Sequence, residues 1–167
     1  EATSRGYTII VGQSNEQFDR EVLLCQRFYE HKVCGIIVSQ AKDTQKYDHF
    51  KKLMDHGVPL VFYDRICTGI DTNRVVVDDY QGAFNAVSHL INTGCRRIAY
   101  YGSPMTLEIS KNRYNGYRDA LLKNGLKPDD RFFRICDNRA DAEAITPEIL
   151  SQENIPAAFF AVNDDTA

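Results

Sequence analysis

Ser14, Asn15, Ser39, Gln40, Asp64, Arg65, Ser103, Arg113, Asp137, Asn138, Asn163 and Asp164 are the residues whose types and places suit gripping a small molecule. Carboxylates accept hydrogen bonds from vicinal hydroxyls, while guanidinium and amide groups donate in fixed geometry. That combination suits a sugar or another small polar metabolite. All but Arg113 stand just past a strand-like run, and in open parallel sheets ligands collect beyond the carboxyl ends of the strands. Arg113 falls early on a helix-like stretch whose preceding loop leaves the same edge. Residues of these types are also the commonest helix N-caps: Asp79 and Asp164 fit that role, and Ser14-x-x-Gln17 fits a capping box.

The elements that must position these side chains alternate along the chain. Short β-branched or aromatic runs predict strands at 7–11, 35–38, 59–63, 75–77, 97–101, 132–136 and 157–162. Apolar residues three or four apart mark helices around Phe18/Val22/Tyr29, Tyr47/Phe50/Met54, Ala83/Val87/Leu90 and Tyr114/Tyr117/Leu121. Gly57, Gly94 and Gly125 follow helical runs, where a left-handed residue closes the last turn cheaply. This rhythm predicts an α/β protein of parallel sheets covered by helices. The run at 75–77 follows the polar loop 64–74 with no intervening helix, as when a chain leaves one sheet for another. Two lobes are therefore expected, 1–77 and 78–167. Both ends read as cut, with a strand almost at the start and a helix start, Asn163–Ala167, without its helix.

Several functions are disfavoured. The chain has 167 residues, 20 Lys+Arg against 23 Asp+Glu and a formal charge of −3, a poor balance for gripping nucleic acid by charge alone. Its 43% apolar content suits a folded protein, yet the longest nearly apolar run, 155–162, is far below the roughly 20 residues of a membrane helix. No secretory leader is visible. Five cysteines, odd in number and without a C-x-x-C pair, read as reduced thiols in a cytoplasmic protein. His31 with Cys34 is a lone pair, so no metal is expected. Gly12-Gln13-Ser14-Asn15-Glu16 lacks the second glycine of a nucleophile elbow, and no phosphate-cradling glycine loop is present. His49 and His56 read as a solvated stripe of one helix. No catalytic residue and no cofactor are expected.

The longer runs add more. Val58-Pro59-Leu60-Val61-Phe62-Tyr63-Asp64-Arg65 is followed by Val75-Val76-Val77-Asp78-Asp79-Tyr80-Gln81-Gly82-Ala83. Next come His89-Leu90, Gly94-Cys95-Arg96-Arg97-Ile98-Ala99-Tyr100-Tyr101-Gly102, Ser110-x-x-Arg113-x-x-Gly116-Tyr117 and Ala161-Val162-Asn163-Asp164. In this order and spacing, nearly the whole chain resembles the core of the lactose/galactose repressor (LacI/GalR) family of bacterial transcription regulators.

The resemblance implies a two-lobed, periplasmic-binding-protein-like fold, truncated at both ends, that closes on a sugar-like effector. It implies a homodimer that meets operator DNA through a helix-turn-helix headpiece absent from this chain. Effector binding and DNA affinity would then be coupled reciprocally. Carried over by motif, Asp64 is the acidic contact to effector hydroxyls, Arg113 the guanidinium contact and Asn163 the amide contact. Ser110 and Asp137 are further candidates, and Asp164 caps a helix. Many members place an aromatic near the end of the 132–136 strand; Asp137-Asn138 here leans toward a polar or charged effector. A periplasmic sugar-binding protein of a transport system has the same fold. The odd cysteines and Arg96-Arg97 within the repressor-like stretch favour the regulator.

Overall fold

The computed structural model describes residues 1–136 and 138–167. The candidate Asp137 therefore lies outside the described residues. The chain divides into two compact units, Glu1–Val76 and Val77–Ala167.

The first unit is built on a three-stranded parallel sheet, β1 (Ile36–Val38), β2 (Leu60–Tyr63) and β3 (Asn73–Val75), in the order β1-β2-β3. Ile36 pairs with Leu60, and Tyr63 with Val75. Two helices, α1 (Phe18–Glu30) and α2 (Asp48–Asp55), follow their apolar periodicity. Asp19 and Glu21 lie in the first turn of α1 and Arg27 in its last, each favourable to the helix dipole. The core gathers Cys25 of α1, Phe50 and Leu53 of α2, and Ile36, Leu60 and Phe62 of the sheet. Phe50 meets Phe62 edge to face, ring centres 5.1 Å apart.

One expected strand is missing. Residues 7–11 form no ladder, and Tyr7, Ile9, Ile10 and Val11 are exposed. Strand propensity needs a neighbouring backbone to pair with, and this run meets none among the described residues. The other first-unit strands appear with trimmed ends, and β3 sits two residues earlier than the sequence suggests.

The second unit holds β4 (Ile98–Gly102), β5 (Phe133–Ile135) and β6 (Ala158–Ala161), parallel in the order β5-β4-β6. Central β4 is buried along its whole length. Ile98 and Tyr100 join one apolar cluster with Val87, Tyr117 and Leu121; Ala99 and Tyr101 join another with Phe132, Ala142 and Ile149. Period-two alternation thus feeds two cores, one on each face. Helices α3 (Asp79–Asn92) and α4 (Glu108–Lys123) supply the first cluster and α5 (Arg139–Leu150) the second.

Gly116 sets the approach of α4 to α3, because a Cβ there would run into the Tyr80 carbonyl and stand 2.9 Å from both Ala83 Cβ and Phe84 N. The next residue, Tyr117, donates its hydroxyl to the Ile98 carbonyl at 2.8 Å and so ties α4 to β4. The sequence pattern overlooks α5, half of whose apolar residues are small alanines and whose interior contains Pro147. Its start was legible nonetheless: the Asn138 side chain accepts from the Asp141 N–H at 3.0 Å, an N-cap. Asn138, a ligand candidate by position, is engaged in that cap. At the other helix ends, Gly57, Gly94 and Gly125 take positive φ as expected.

Candidate functional site

In the first unit, the carboxyl edge of the sheet carries Asp64. It follows β2 directly with φ 57°, a left-handed conformation uncommon for a residue with a side chain. Its N–H bonds to the Val75 carbonyl at 3.2 Å, while its exposed carboxylate has no partner among the described residues. Such backbone strain clusters at ligand sites.

Neighbouring Arg65 donates from Nη1 to Glu16 Oε2 at 2.5 Å, and the same oxygen accepts the Lys42 N–H at 3.0 Å. The Arg65 carbonyl accepts the Gln40 N–H at 3.2 Å. The loops after β1 and β2 are therefore fastened to the turn that precedes α1. Asn15 and Glu16 are also left-handed, and this turn leads into α1 through the N-cap Gln17, which makes no side-chain cap bond. The expected Ser14/Gln17 capping box does not form.

Beneath these loops lies a buried hub that the sequence did not disclose. Glu21 accepts the Ala41 N–H at 2.6 Å, the Thr44 hydroxyl at 2.7 Å and a contact from His49 Nε2 at 2.9 Å. His49 is buried rather than part of a solvated stripe, because its ring lies against Phe18 and Phe50 while Nε2 meets the carboxylate.

In the second unit, Ser110 and Arg113 lie on the first two turns of α4. Arg113 Nε donates to Asp79 Oδ1 at 2.8 Å, and Nη1 donates to the Val162 carbonyl. That carbonyl immediately precedes Asn163 in the chain. Asn163 Oδ1 accepts both the N–H and the hydroxyl of Thr166 at 2.9 Å. Asn163, not Asp164, thus caps the turn, and its Nδ2 has no partner among the described residues. The N-cap of α3 is likewise Asp78, whose side chain accepts the Gln81 N–H. Asp79 is instead the partner of Arg113, with its side chain 9% exposed against 26% for the arginine. Two adjacent acids at one helix start were the available signal, since only one can cap.

Ser110 is buried, and its hydroxyl has no hydrogen-bond partner. The Tyr100 hydroxyl is in the same condition. Burial pushes the Tyr100 phenol above its ordinary range, opposed by the charge of Arg113. In the second unit Arg113 thus reaches the carbonyl that precedes Asn163, with Ser110 one turn earlier on α4, while Asp64 stands just past β2 in the first.

Two successive parallel α/β units, each with polar residues past its strand ends, define the periplasmic-binding-protein class of fold. The sequence profile described as "Periplasmic binding proteins and sugar binding domain of LacI family" matches residues 1–167. The chain is 30% identical over 169 residues to catabolite control protein A of Priestia megaterium, covering 99% of this chain and 50% of that protein. It is 31% identical over 158 residues to the HTH-type transcriptional regulator GalR of Escherichia coli K12, covering 93% and 45%. Among solved structures, transcription regulator CcpA of Lactococcus lactis superposes with a TM-score of 0.87 at 19% identity, over 99% of this chain and 60% of that one. The chain belongs to the LacI/GalR family. It spans about half the length of the curated relatives it matches.

Proposed function

We propose that this chain is the effector-binding core of a ligand-responsive transcription regulator that binds a sugar or similar small polar metabolite. Asp64 of the first unit, with Arg113, Asn163, Ser110 and Asp137 of the second, recognises the effector. The complete protein is a cytoplasmic homodimer that reaches operator DNA through a headpiece outside this chain. Binding of the effector changes operator affinity, and no step of this cycle breaks a covalent bond.

The observation that carries the reading is the Arg113 assembly. An arginine held by Asp79 and the Val162 carbonyl keeps Nη2 without a partner among the described residues, and Asn163 follows that carbonyl directly in the chain. A guanidinium fixed in this way presents donors in one geometry and loses little entropy on binding. That the relative GalR is a transcriptional regulator supports the regulator over a transport protein.

The test is operator binding by the complete protein, with and without neutral sugars. A sugar that shifts operator affinity in the wild type, and fails to do so in Arg113→Ala, supports the reading. Operator affinity indifferent to every sugar would sink it.

A further inference from the structure

Among the described residues, four that are not glycine take positive φ: Asn15, Glu16, Lys32 and Asp64. Lys32 follows the C-cap of α1, a common place for a left-handed residue. The other three lie in two turns distant in sequence, one leading into α1 and one just past β2. Asn and Asp tolerate this conformation better than most side chains do, but Glu has no such ease. Glu16, at φ 63°, is therefore the residue whose backbone most needs an outside hold.

Its own carboxylate supplies that hold. Glu16 Oε2 accepts from Arg65 Nη1, 49 positions along the chain, and from the Lys42 N–H. Arg65 follows Asp64 directly, and its carbonyl accepts the Gln40 N–H. On the other side, the Asp64 N–H bonds the Val75 carbonyl at the end of β3. The backbone of Asp64 is thus fixed at both ends, by β3 through its N–H and by Arg65 after it. A left-handed residue with a side chain persists only where its surroundings over-determine it, and the Glu16–Arg65 pair is the side-chain part of that restraint. The Asp64 carboxylate so held is exposed and open to a ligand.

We infer that Glu16 is a positioning residue: through Arg65 it holds the turn at Asp64 and so aims the Asp64 carboxylate at the effector. This deepens the effector-binding reading and rests on it. An oxygen already shared by two donors is suited to holding a loop, not to gripping a third group. The pair is partly exposed, with 22% of the Arg65 side chain and 47% of the Glu16 side chain open to solvent, so it adds little to overall stability. Its effect is local, on the backbone conformation of one acid. That difference separates positioning from a general structural role.

The experiment uses the complete protein with ribose and galactose as probes, read by calorimetric titration, thermal denaturation and amide hydrogen exchange. Glu16→Ala should weaken sugar binding about fivefold, the upper range of an exposed ion pair, and leave the melting temperature nearly level. Glu16→Gln keeps an acceptor for the Lys42 N–H and should fall between the two. The Asp64 and Gln40 amides should exchange faster in Glu16→Ala, while Phe62, paired on both sides within the sheet, keeps its protection. In an Asp64→Asn background the Glu16→Ala loss should vanish, because Glu16 acts through Asp64. An equal loss in that background overturns the positioning role. So does unchanged sugar affinity, or unchanged exchange at Asp64, in Glu16→Ala. Wild-type affinity in Asp64→Asn alone removes Asp64 from the effector site, and this inference with it. If no sugar binds the wild type, the sugar-effector reading falls and takes the inference along, whatever exchange at Asp64 shows of the clamp.

Discussion

Nε of Arg113 stands 2.8 Å from Oδ1 of Asp79, which pins the second turn of α4 to the first turn of α3. The pair is partly buried, and it orients the guanidinium that the effector would meet. Removing the acid leaves a half-buried charge with only the Val162 carbonyl for company. Asp79→Ala should therefore destabilise the chain by about 1–3 kcal/mol, a partly exposed pair costing less to break than a fully buried one. It should also weaken effector binding by loosening Arg113. Urea denaturation checks the first effect and calorimetric titration of the complete protein the second; wild-type values in both would refute the positioning role.

Arg113→Ala should cost effector binding about 2–5 kcal/mol, the range seen when a charged partner is truncated at a buried polar contact. Operator binding without effector should persist. Unchanged effector affinity would mean that Arg113 serves only to hold Asp79 and Val162 together.

Glu21 has a structural role that can be measured separately. Glu21→Ala would leave the Ala41 N–H, the Thr44 hydroxyl and His49 without their buried acceptor, at a cost of roughly 2–4 kcal/mol. Glu21→Gln keeps the size and one good acceptor, so it should cost clearly less. The comparison is made by chemical denaturation, and equal losses in the two variants would contradict the hydrogen-bond account.

Gly116→Ala tests the contact of the two helices. Its Cβ would meet backbone atoms of α3, which cannot swing aside as a side-chain end can. A loss of about 1–3 kcal/mol is expected from such overpacking, read by thermal denaturation. A neutral result would show that α4 shifts freely.

Thiol chemistry should separate the cysteines. Burial, with Glu21 adding to it, pushes the Cys25 thiol from 9.0 to about 12, whereas Cys34 is exposed. At pH 8 a thiol reagent should label Cys34 readily and Cys25 only after unfolding. The unfolded chain loses this proton from about pH 9 while the folded chain keeps it to about 12, so this group lowers stability as pH rises through that window. Fast labelling of Cys25 in the native protein would contradict its burial.

Much of this architecture is written in local pattern. The period-two run Ile98–Gly102 buries both its faces, as its apolar residues require, and the glycines past three helices take the left-handed turn. The places of Arg113, early on α4, and of Asn163, just past β6, were legible from chain order, while their proposed part in effector binding rests on the family resemblance. Apart from α5, the failures came from interactions distant in sequence. Residues 7–11 have strand composition, but a strand exists only where another backbone accepts its hydrogen bonds. His49 looked solvent-facing until Glu21, 28 residues earlier, was found against its ring. Asp79 looked like a cap until Arg113, 34 residues later, was found at its carboxylate. Sequence by itself determined most of the helices, strands and turns, because those preferences act over one or two turns of chain. Only tertiary structure decided which polar groups are paired and which stay available, because that depends on side chains brought together from distant positions and removed from water.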